Sequence, residues 1–506
     1  MDEKKKSSNL GADATLLTFS KVATSGIAMV MTMLLSRFRT LEEYGTYSQI
    51  LMIVNLVTSI LMLGLPKSLN YFLARADSKE EKQRFLSLYY TLNTALSFLV
   101  GLALVLSVGL IEKYFDNNTI SSFLYFLALF PWTKIICSSI ENLLIVYKKA
   151  KMLVGFRILN SAALLLAVMV VQWMGWSFKD YMLLYVIVES AFALSVYLIA
   201  ARVSGGIKPY LSAKMVKTVF AFSIPLGLAS VVGTLNVELD KLLIGALMDT
   251  ESFAIYSNAA RELPVTMIAS SFTAVLLPQM VKLLKKEDHR GAIKLWGNAT
   301  TLSMILVAVI GVGCFVYAED VVKILYSEKY IEGVWVFRLY ALHLLMRCTY
   351  YGMVLNSIGK TGFIFWCSIG ALGSNAILNL TLFKVFELFG QSMLAPAVAT
   401  LISTTAMAVL QLAVTAKSLE IRFREVFPWG EAAIILLVNV IFGIAFWFIK
   451  AMLPLEKLFG SVTLSGKALD GGIIESVILG CVWAIVYFVV MFKPIKKKWR
   501  NLKVKD

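Results

Sequence analysis

The sequence predicts an all-α integral membrane protein that crosses the bilayer about fourteen times. Two observations carry this prediction. Of the 506 residues, 58% are hydrophobic and only 16% are charged. Soluble globular proteins hold about 45–50% apolar and about 25% charged residues. The apolar residues also fall into runs of roughly 20 residues, the length that an α-helix needs to span the hydrocarbon core. Lipid is therefore the solvent that this composition suits.

A hydropathy window of about 19 residues divides the chain into successive spans joined by short loops. The predicted spans are 14–36, 45–65, 86–111, 121–147, 153–175, 180–201, 218–247, 253–279, 295–318, 333–358, 362–387, 391–416, 428–450 and 473–493. The loops between them leave no room for a soluble domain. Three lysines, residues 4–6, precede the first span, but no small-residue cleavage pattern follows it. We interpret this span as a retained first helix.

Positive charges predict the orientation of these spans. Of the 48 Lys and Arg residues, 31 lie in the two termini and in alternate loops, and 9 lie in the intervening loops, when Lys493 and Lys450 at the ends of their spans are counted with the adjoining tail and loop. Cytoplasmic segments carry the excess of Lys and Arg in membrane proteins, so both termini are expected in the cytoplasm. The net charge of +16 follows from the same rule. It indicates contact with anionic membrane lipids and not with nucleic acid, and it makes the tail at 496–500 a juxtamembrane anchor.

The chain contains two similar segments at an offset of 209 residues, 41–48 after the first helix and 250–257 after the seventh. Each leads into a helix that ends in Leu-Pro, at Leu65-Pro66 and at Leu277-Pro278. Coincidence between apolar segments is the alternative. The helix count favours a repeat, because helices 1 and 7 enter the membrane from the same side, as in parallel transporter repeats. The predicted organisation is a cytoplasmic N-terminus at 1–13, an N-lobe at 14–201, a cytoplasmic linker at 202–217, a C-lobe at 218–416, two further helices within 417–493 and a basic cytoplasmic tail at 494–506.

Short motifs recur at the starts and ends of these helices. Leu41–Tyr47 has the pattern L-x-x-Y-G-x-Y, and Gly64-Leu65-Pro66 closes the second helix. Phe222–Gly227, Asp240–Gly245 and Ala254–Pro264 follow around the seventh and eighth helices. Their order and spacing resemble the polysaccharide exporter branch of the multidrug/oligosaccharidyl-lipid/polysaccharide flippase superfamily. The resemblance implies two pseudo-symmetric six-helix lobes in a V shape, followed by two C-terminal helices.

The resemblance also implies a function. The cargo of that branch is an oligosaccharide linked to undecaprenyl pyrophosphate, moved across the bacterial cytoplasmic (inner) membrane for surface polysaccharide assembly. Polysaccharide polymerase machinery is then an expected partner, and the chain is expected not to be an enzyme. Gly359-Lys360-Thr361 resembles the end of a phosphate loop, but Val354 replaces the first glycine, so ATP is not expected as energy source. No cofactor is implied, and H+ and Na+ are the candidate coupling ions.

Charged side chains inside spans cost roughly 2.5–3.5 kcal/mol on insertion scales, so they indicate functional positions. A pyrophosphate requires fixed cations that donate hydrogen bonds. Lys21 and Arg261, from corresponding halves of the repeat, could converge on it, and Lys134 and Arg347 are second choices. Lys21 lies near enough to the cytoplasmic end of its helix that snorkelling to the interface is an equal alternative.

Three acidic residues are candidates for charge pairing or ion coupling. Asp240 lies at a depth comparable to that of Arg261 on the neighbouring helix, so these two could pair as a structural lock or as a switch. Glu262 faces about 100° away from Arg261 around the helix. Glu141 lies seven residues after Lys134 and therefore on the same face, which suits a cavity wall and lobe packing equally. Pro264 predicts a bend in the eighth helix.

Other classes of protein fit the sequence less well. A cation-coupled multidrug exporter of the same superfamily is the nearest alternative, but it favours an acidic cavity in the N-lobe. A membrane-embedded polysaccharide polymerase or transferase needs catalytic groups in an external loop. The longest such loop, about 451–472, holds no carboxylate–histidine constellation. A flippase for a peptidoglycan precursor remains an alternative cargo class, and a structural role explains none of the buried charges. The five cysteines lie in apolar stretches and the two histidines are far apart, so no metal site is predicted.

Overall fold

The computed structural model describes residues 2–261, 263–452, 462–464, 467–469 and 471–502. Up to residue 247 its α-helices are α1 Asp2–Phe38, α2 Leu41–Leu61, α3 Leu65–Arg75, α4 Lys79–Leu106, α5 Val108–Phe115, α6 Leu124–Val146, α7 Ala150–Trp173, α8 Phe178–Ser204 and α9 Ala213–Leu247. Those that follow are α10 Thr250–Ala259, α11 Met267–Lys285, α12 His289–Val316, α13 Ala318–Leu325, α14 Val334–Met346, α15 Met353–Ser357, α16 Thr361–Glu387, α17 Leu394–Leu419, α18 Phe423–Val426, α19 Trp429–Met452 and α20 Gly471–Leu502.

The remaining elements are short. Three 3-10 turns lie at Ile120–Phe123, Pro264–Thr266 and Glu328–Gly333. Two strands, β1 Val462–Leu464 and β2 Lys467–Leu469, pair antiparallel with Thr463 opposite Ala468. The described chain is therefore almost entirely helical, as the composition predicts.

Twelve helices of the described residues are long and apolar enough to cross a membrane, or thirteen if the bent pair around Pro264 forms one span. The predicted span 333–358 is the main difference from the sequence-based count. It consists of the 13-residue helix α14, a break, and the five-residue helix α15. A hydropathy window of about 19 residues does not detect such a break, because the apolar residues of α14 and α15 on either side outweigh the short segment between the two helices.

The bend predicted for the eighth helix is confirmed. Helix α10 ends at Ala259, the 3-10 turn begins at Pro264, and α11 continues from Met267. The two parts of the pair differ in direction by 43°. Proline lacks the amide hydrogen that would continue the helical bonding, and its ring clashes with the preceding turn.

The order of elements repeats along the chain. Helix α4 has 28 residues and is followed by the eight-residue α5, a 3-10 turn and α6. Helix α12 also has 28 residues and is followed by the eight-residue α13, a 3-10 turn and α14. The similarity of the segments at 41–48 and 250–257 therefore extends to a shared succession of helices.

Contacts divide the chain into two compact units, residues 1–254 and 255–506. The core of the first unit holds Leu65, Leu69 and Leu73 of α3 together with buried residues of α4, α6 and α8. The core of the second unit holds Trp296 of α12 and Trp483 of α20. The lobe boundaries predicted from the sequence, with a linker at 202–217, stay a prediction.

Helix α9 belongs to the first unit, where it packs on α2 and α3. The contact with α3 is made by the backbone at Gly64, the residue that precedes α3, which has a left-handed φ of 75°. A Cβ atom at Gly64 would lie 2.6 Å from the backbone nitrogen of Gly227. Glycine is required here both for the conformation and for the close approach.

Candidate functional site

The first unit has an open cavity of about 630 Å³ between α2, α6 and α9, here called the first-unit cavity. Each helix contributes residues at helical spacing, so that one face of each forms a wall. The lining residues are Asn55, Thr58, Ser59 and Met62 of α2 and its C-cap, Lys134, Ile135 and Ser138 of α6, and Ser230, Gly233, Thr234, Val237 and Glu238 of α9. Eight of these twelve side chains carry a polar group, which is a high proportion for residues inside membrane spans.

Hydroxyl groups connect the walls of the first-unit cavity. The hydroxyls of Ser59 and Thr234 lie 2.8 Å apart and join α2 to α9. At the rim, Lys67 donates from Nζ to the Ser230 hydroxyl at 2.7 Å. Hydroxyls both donate and accept hydrogen bonds, so this wall can exchange its internal bonds for bonds to a bound hydroxyl-rich molecule.

The first-unit cavity also holds charged groups. Lys134 is half-buried in its wall, and the carboxylate of Glu238 is close enough for the two charges to interact. Glu238 accepts a hydrogen bond from Lys241, one turn further along α9, at 3.0 Å. Because Lys241 balances the charge of Glu238, Lys134 makes the cavity cationic overall.

A second cluster joins three helices of the same unit through Glu141. One carboxylate oxygen of Glu141 lies 3.3 Å from Nζ of Lys21, on α1, and the other lies 2.5 Å from a guanidinium nitrogen of Arg157, on α7. Lys21 is 54% exposed, whereas Arg157 is only 16% exposed and also donates to the Ser20 hydroxyl at 3.4 Å. The cluster carries one net positive charge.

The geometry therefore separates two residues that the sequence placed on one face of a helix. Lys134 and Ser138 line the first-unit cavity, whereas Glu141 pairs with Lys21 and Arg157. The two ends of that face have different neighbours, since Lys134 lies beside α2 and α9 and Glu141 lies beside α1 and α7.

The second unit brings together Arg261 and Arg347, which the sequence named separately. Both line a small cavity of about 20 Å³, here called the second-unit cavity. Its other lining residues are Leu263, Thr266, Phe337, Tyr340, Ala341, His343 and Leu344. Both arginines are exposed, and His343 is buried. Two guanidinium groups beside one opening form a site suited to an anion with several oxygens.

Two acidic residues predicted for the site remain, Asp240 and Glu262. Asp240 is buried in α9 of the first unit, and its pairing with Arg261 stays a prediction. Glu262 lies outside the described residues.

Three residues were not selected from the sequence. Glu238 follows Ser230 and Thr234 at intervals of four residues, so helical spacing alone could have placed it on the cavity wall. His343 precedes Arg347 by four residues and shares its face in the same way. Arg157 offered no such signal, because its partner Glu141 lies on another helix.

The fold is that of known lipid and drug transporters. The chain superposes on lipid II flippase MurJ in an inward closed conformation with a TM-score of 0.69, at 15% identity, over 95% of this chain and 99% of that one. It superposes on an inward-facing multidrug resistance MATE family transporter of the MOP superfamily with a TM-score of 0.62, at 11% identity, over 78% of this chain and 94% of that one. The chain is thus an all-helical membrane protein with the MOP superfamily fold.

Sequence similarity defines the family. Residues 34–335 match the family described as polysaccharide biosynthesis protein, more than half of the chain, and the chain belongs to that family. It is 22% identical over 236 residues to a probable low-salt glycan biosynthesis flippase, Agl15, of Haloferax volcanii. It is 25% identical over 104 residues to a probable lipid II flippase, MurJ, of Rickettsia prowazekii. These alignments cover 46% and 21% of this chain, and they span 49% and 20% of the two relatives.

Proposed function

We propose that this protein is a flippase for oligosaccharide repeat units linked to undecaprenyl pyrophosphate. It carries them across the bacterial cytoplasmic membrane by alternating access, for assembly of O-antigen, capsule or exopolysaccharide. The first-unit cavity is the observation that carries this proposal, since it brings together eight polar side chains, the ammonium of Lys134 among them, inside membrane-spanning helices. Polar groups at that depth are costly and concentrate on substrate pathways.

The cavity suits the sugar end of such a cargo. Its hydroxyl and amide groups match the hydrogen bonding of sugar hydroxyls. Ligand pockets have volumes of about 300–1,000 Å³, and at about 630 Å³ this cavity would hold a few sugar rings. The remaining cargo would extend beyond it, with the lipid chain in the bilayer.

The phosphates need cations, and each unit supplies them. We assign Lys134 and Lys21 in the first unit, and Arg261 and Arg347 in the second, to successive contacts with the pyrophosphate during transport. One arginine guanidinium can donate two parallel hydrogen bonds to two phosphate oxygens, whereas the lysine ammonium acts as a point charge. Glu141, which holds Lys21 and Arg157 in the resting cluster, would compete with the phosphates for these cations.

The transmembrane topology is part of the same proposal. Counting the broken segment from Val334 to Ser357 as one crossing, together with the bent pair around Pro264, makes fourteen crossings. The charge distribution supports cytoplasmic termini. The arrangement would be six, six and two helices, and the exported unit would be delivered at the outer face to polysaccharide polymerase machinery.

A cation-coupled multidrug exporter is the second candidate. The likeness in fold to a MATE family transporter favours it, and Asp240 and Glu238 are buried acids that a cationic drug could approach. The cationic character that Lys134 gives the first-unit cavity argues against it, because like charges repel strongly where solvent is scarce.

Transport by the purified full chain in liposomes tests the proposal. A fluorescent undecaprenyl-pyrophosphate oligosaccharide is placed in the inner leaflet, and its arrival outside is followed with an impermeant glycosidase. Lys134→Met should reduce the rate at least tenfold. Lys384→Met, which removes an exposed lysine at the end of α16, is the matched control and should leave the rate unchanged.

Deletion of the gene provides the cellular counterpart. The deletion strain should accumulate the lipid-linked oligosaccharide in the inner leaflet. Normal surface polysaccharide in a strain without a second flippase would contradict the proposal. Export of a cationic dye by the liposomes, without movement of the lipid-linked sugar, would favour the multidrug exporter instead.

A further inference from the structure

The second-unit cavity contains a buried histidine between two exposed arginines. His343 is 5% exposed, and its Nε2 atom is buried without a hydrogen-bond partner among the described residues. Tyr340, His343 and Arg347 follow at intervals of three and four residues and so share one face at the end of α14. A buried polar atom without a partner costs free energy, so its retention beside a cavity indicates a ligand that supplies the missing bond.

The size of the cavity limits what can enter it. At about 20 Å³ it has room for a single water-sized group and no more. A phosphoryl oxygen is of that size, whereas a whole pyrophosphate is not. With Arg261 and Arg347 exposed at its lining, a phosphate could bind both guanidinium groups from outside and direct one oxygen inward to the imidazole.

The charges around His343 determine its protonation. Among the described residues, the charge of Arg347, which directly follows α14, acts on the imidazole, and Arg261 lines the same cavity. Tyr340 places its ring edge-on at 6.0 Å, and its hydroxyl lies 3.4 Å from that of Tyr256, on α10. An anion bound at the two arginines would offset their charge and so favour a protonated imidazole.

We propose that His343 is a phosphate-binding residue that takes up one proton when the pyrophosphate of the cargo binds to Arg261 and Arg347. This inference rests on the proposed function. The proton is taken up from the surrounding water as the pyrophosphate binds. The imidazolium then donates from Nε2 to a phosphoryl oxygen, and the proton leaves when the pyrophosphate leaves. Binding and release are thereby linked to pH through a single group.

Inorganic pyrophosphate and the purified full chain in detergent are sufficient for the test. Calorimetric titrations in buffers of different ionisation enthalpy give the number of protons taken up per pyrophosphate bound. In the wild-type protein this number should exceed that of His343→Gln by a value approaching one. The affinity of the wild type should also fall with rising pH by up to about tenfold per unit more than that of the variant. Titration of pyrophosphate itself is common to both proteins and cancels in the comparison.

Two controls complete the experiment. His289→Gln removes the only other histidine of the chain, at the start of α12, and should behave as the wild type. His343→Asn, together with thermal unfolding of each variant without pyrophosphate, separates loss of binding from loss of folding. Equal proton uptake by the wild type and a folded His343 variant would overturn the inference. If the wild type binds pyrophosphate with proton uptake but moves no lipid-linked sugar, the proposed function is wrong, whereas the phosphate-binding role of His343 is upheld.

Discussion

The backbone of Gly227 lies directly against the backbone of Leu63, so that a Cβ atom at Gly227 would be 2.2 Å from the Leu63 carbonyl carbon. Gly64, the next residue, meets Gly227 from the other side of the same contact. Two motifs that the sequence presents 160 residues apart, Gly64-Leu65-Pro66 and Phe222–Gly227, are therefore the two halves of one helix contact. This contact joins α9 to the segment between α2 and α3, next to Met62 of the first-unit cavity.

Gly227→Ala should destabilise the first unit. The added methyl group meets backbone atoms that cannot rotate away, and overpacking of this kind costs about 1–3 kcal/mol. Gly233→Ala, on the same helix, is the matched control, since a Cβ atom at Gly233 has no neighbour within 4 Å. Thermal unfolding of the purified proteins measures the difference, and equal stability of the two variants would contradict the contact.

Arg157→Gln should destabilise the protein and slow transport, because it leaves Glu141 with Lys21 as its remaining partner. If the pair with Glu141 is the reason, the double variant Arg157→Gln with Glu141→Gln should be less destabilised than the sum of the two single variants. The stability of the wild type, the two single variants and the double variant is measured by chemical or thermal unfolding, which completes the double-mutant cycle. Simple additivity would show that the two residues act independently.

Thr234→Val should slow transport of the lipid-linked sugar without unfolding the protein. The change removes the hydroxyl that bonds Ser59 and replaces a polar point of the cavity wall with a methyl group of similar shape. Thr218→Val is the control, since the Thr218 hydroxyl is exposed and, among the described residues, bonds only the carbonyl of Lys214 on its own helix. Rates are compared in the liposome assay. If the Thr234 variant transports as fast as the control, the Thr234 hydroxyl does not contact the substrate during transport.

Lys450→Met should weaken the attachment of the two C-terminal helices. Lys450, on α19, lies 2.5 Å from the carboxylate of Asp320 and donates to the Ser476 hydroxyl, on α20, at 2.8 Å. Removal of the ammonium leaves the Asp320 carboxylate without its ion pair in a poorly solvated place, which is more costly than removing both charges. Lys450→Met combined with Asp320→Asn should therefore unfold at a higher temperature than Lys450→Met alone. The reverse order would be inconsistent with this role.

Much of the fold was predictable because each membrane-spanning helix corresponds to a continuous apolar segment of the sequence. A helix that spans lipid needs about 20 apolar residues, so its position follows from local composition. The bend at Pro264 was predictable for a similar reason, since proline removes a specific backbone bond. The break after Met346 was not, because no proline marks it, and Arg347 inside a predicted span indicated a functional charge and not the end of a helix.

The candidate site was predictable in part. Lys21, Lys134, Arg261 and Arg347 were selected because a charge inside a span is costly and therefore rare. Glu141 was selected by the same criterion, but its pairing with Lys21 and Arg157 was not predictable. Arg157 and Glu141 meet because α6 and α7 pack together, and residues 16 apart in the chain carry no periodic signal for that meeting.

The amino-acid sequence by itself thus determined the membrane environment, the order of the helices and which side chains are anomalous there, since each depends on composition within about 20 residues. Only the tertiary structure decided that Lys134 faces a hydroxyl-lined cavity, that Glu141 holds two cations, and that Arg261, His343 and Arg347 share one opening. Those outcomes depend on how helices distant in the chain rotate and pack against one another. Packing is set by the fit of many side chains at once and not by any local pattern.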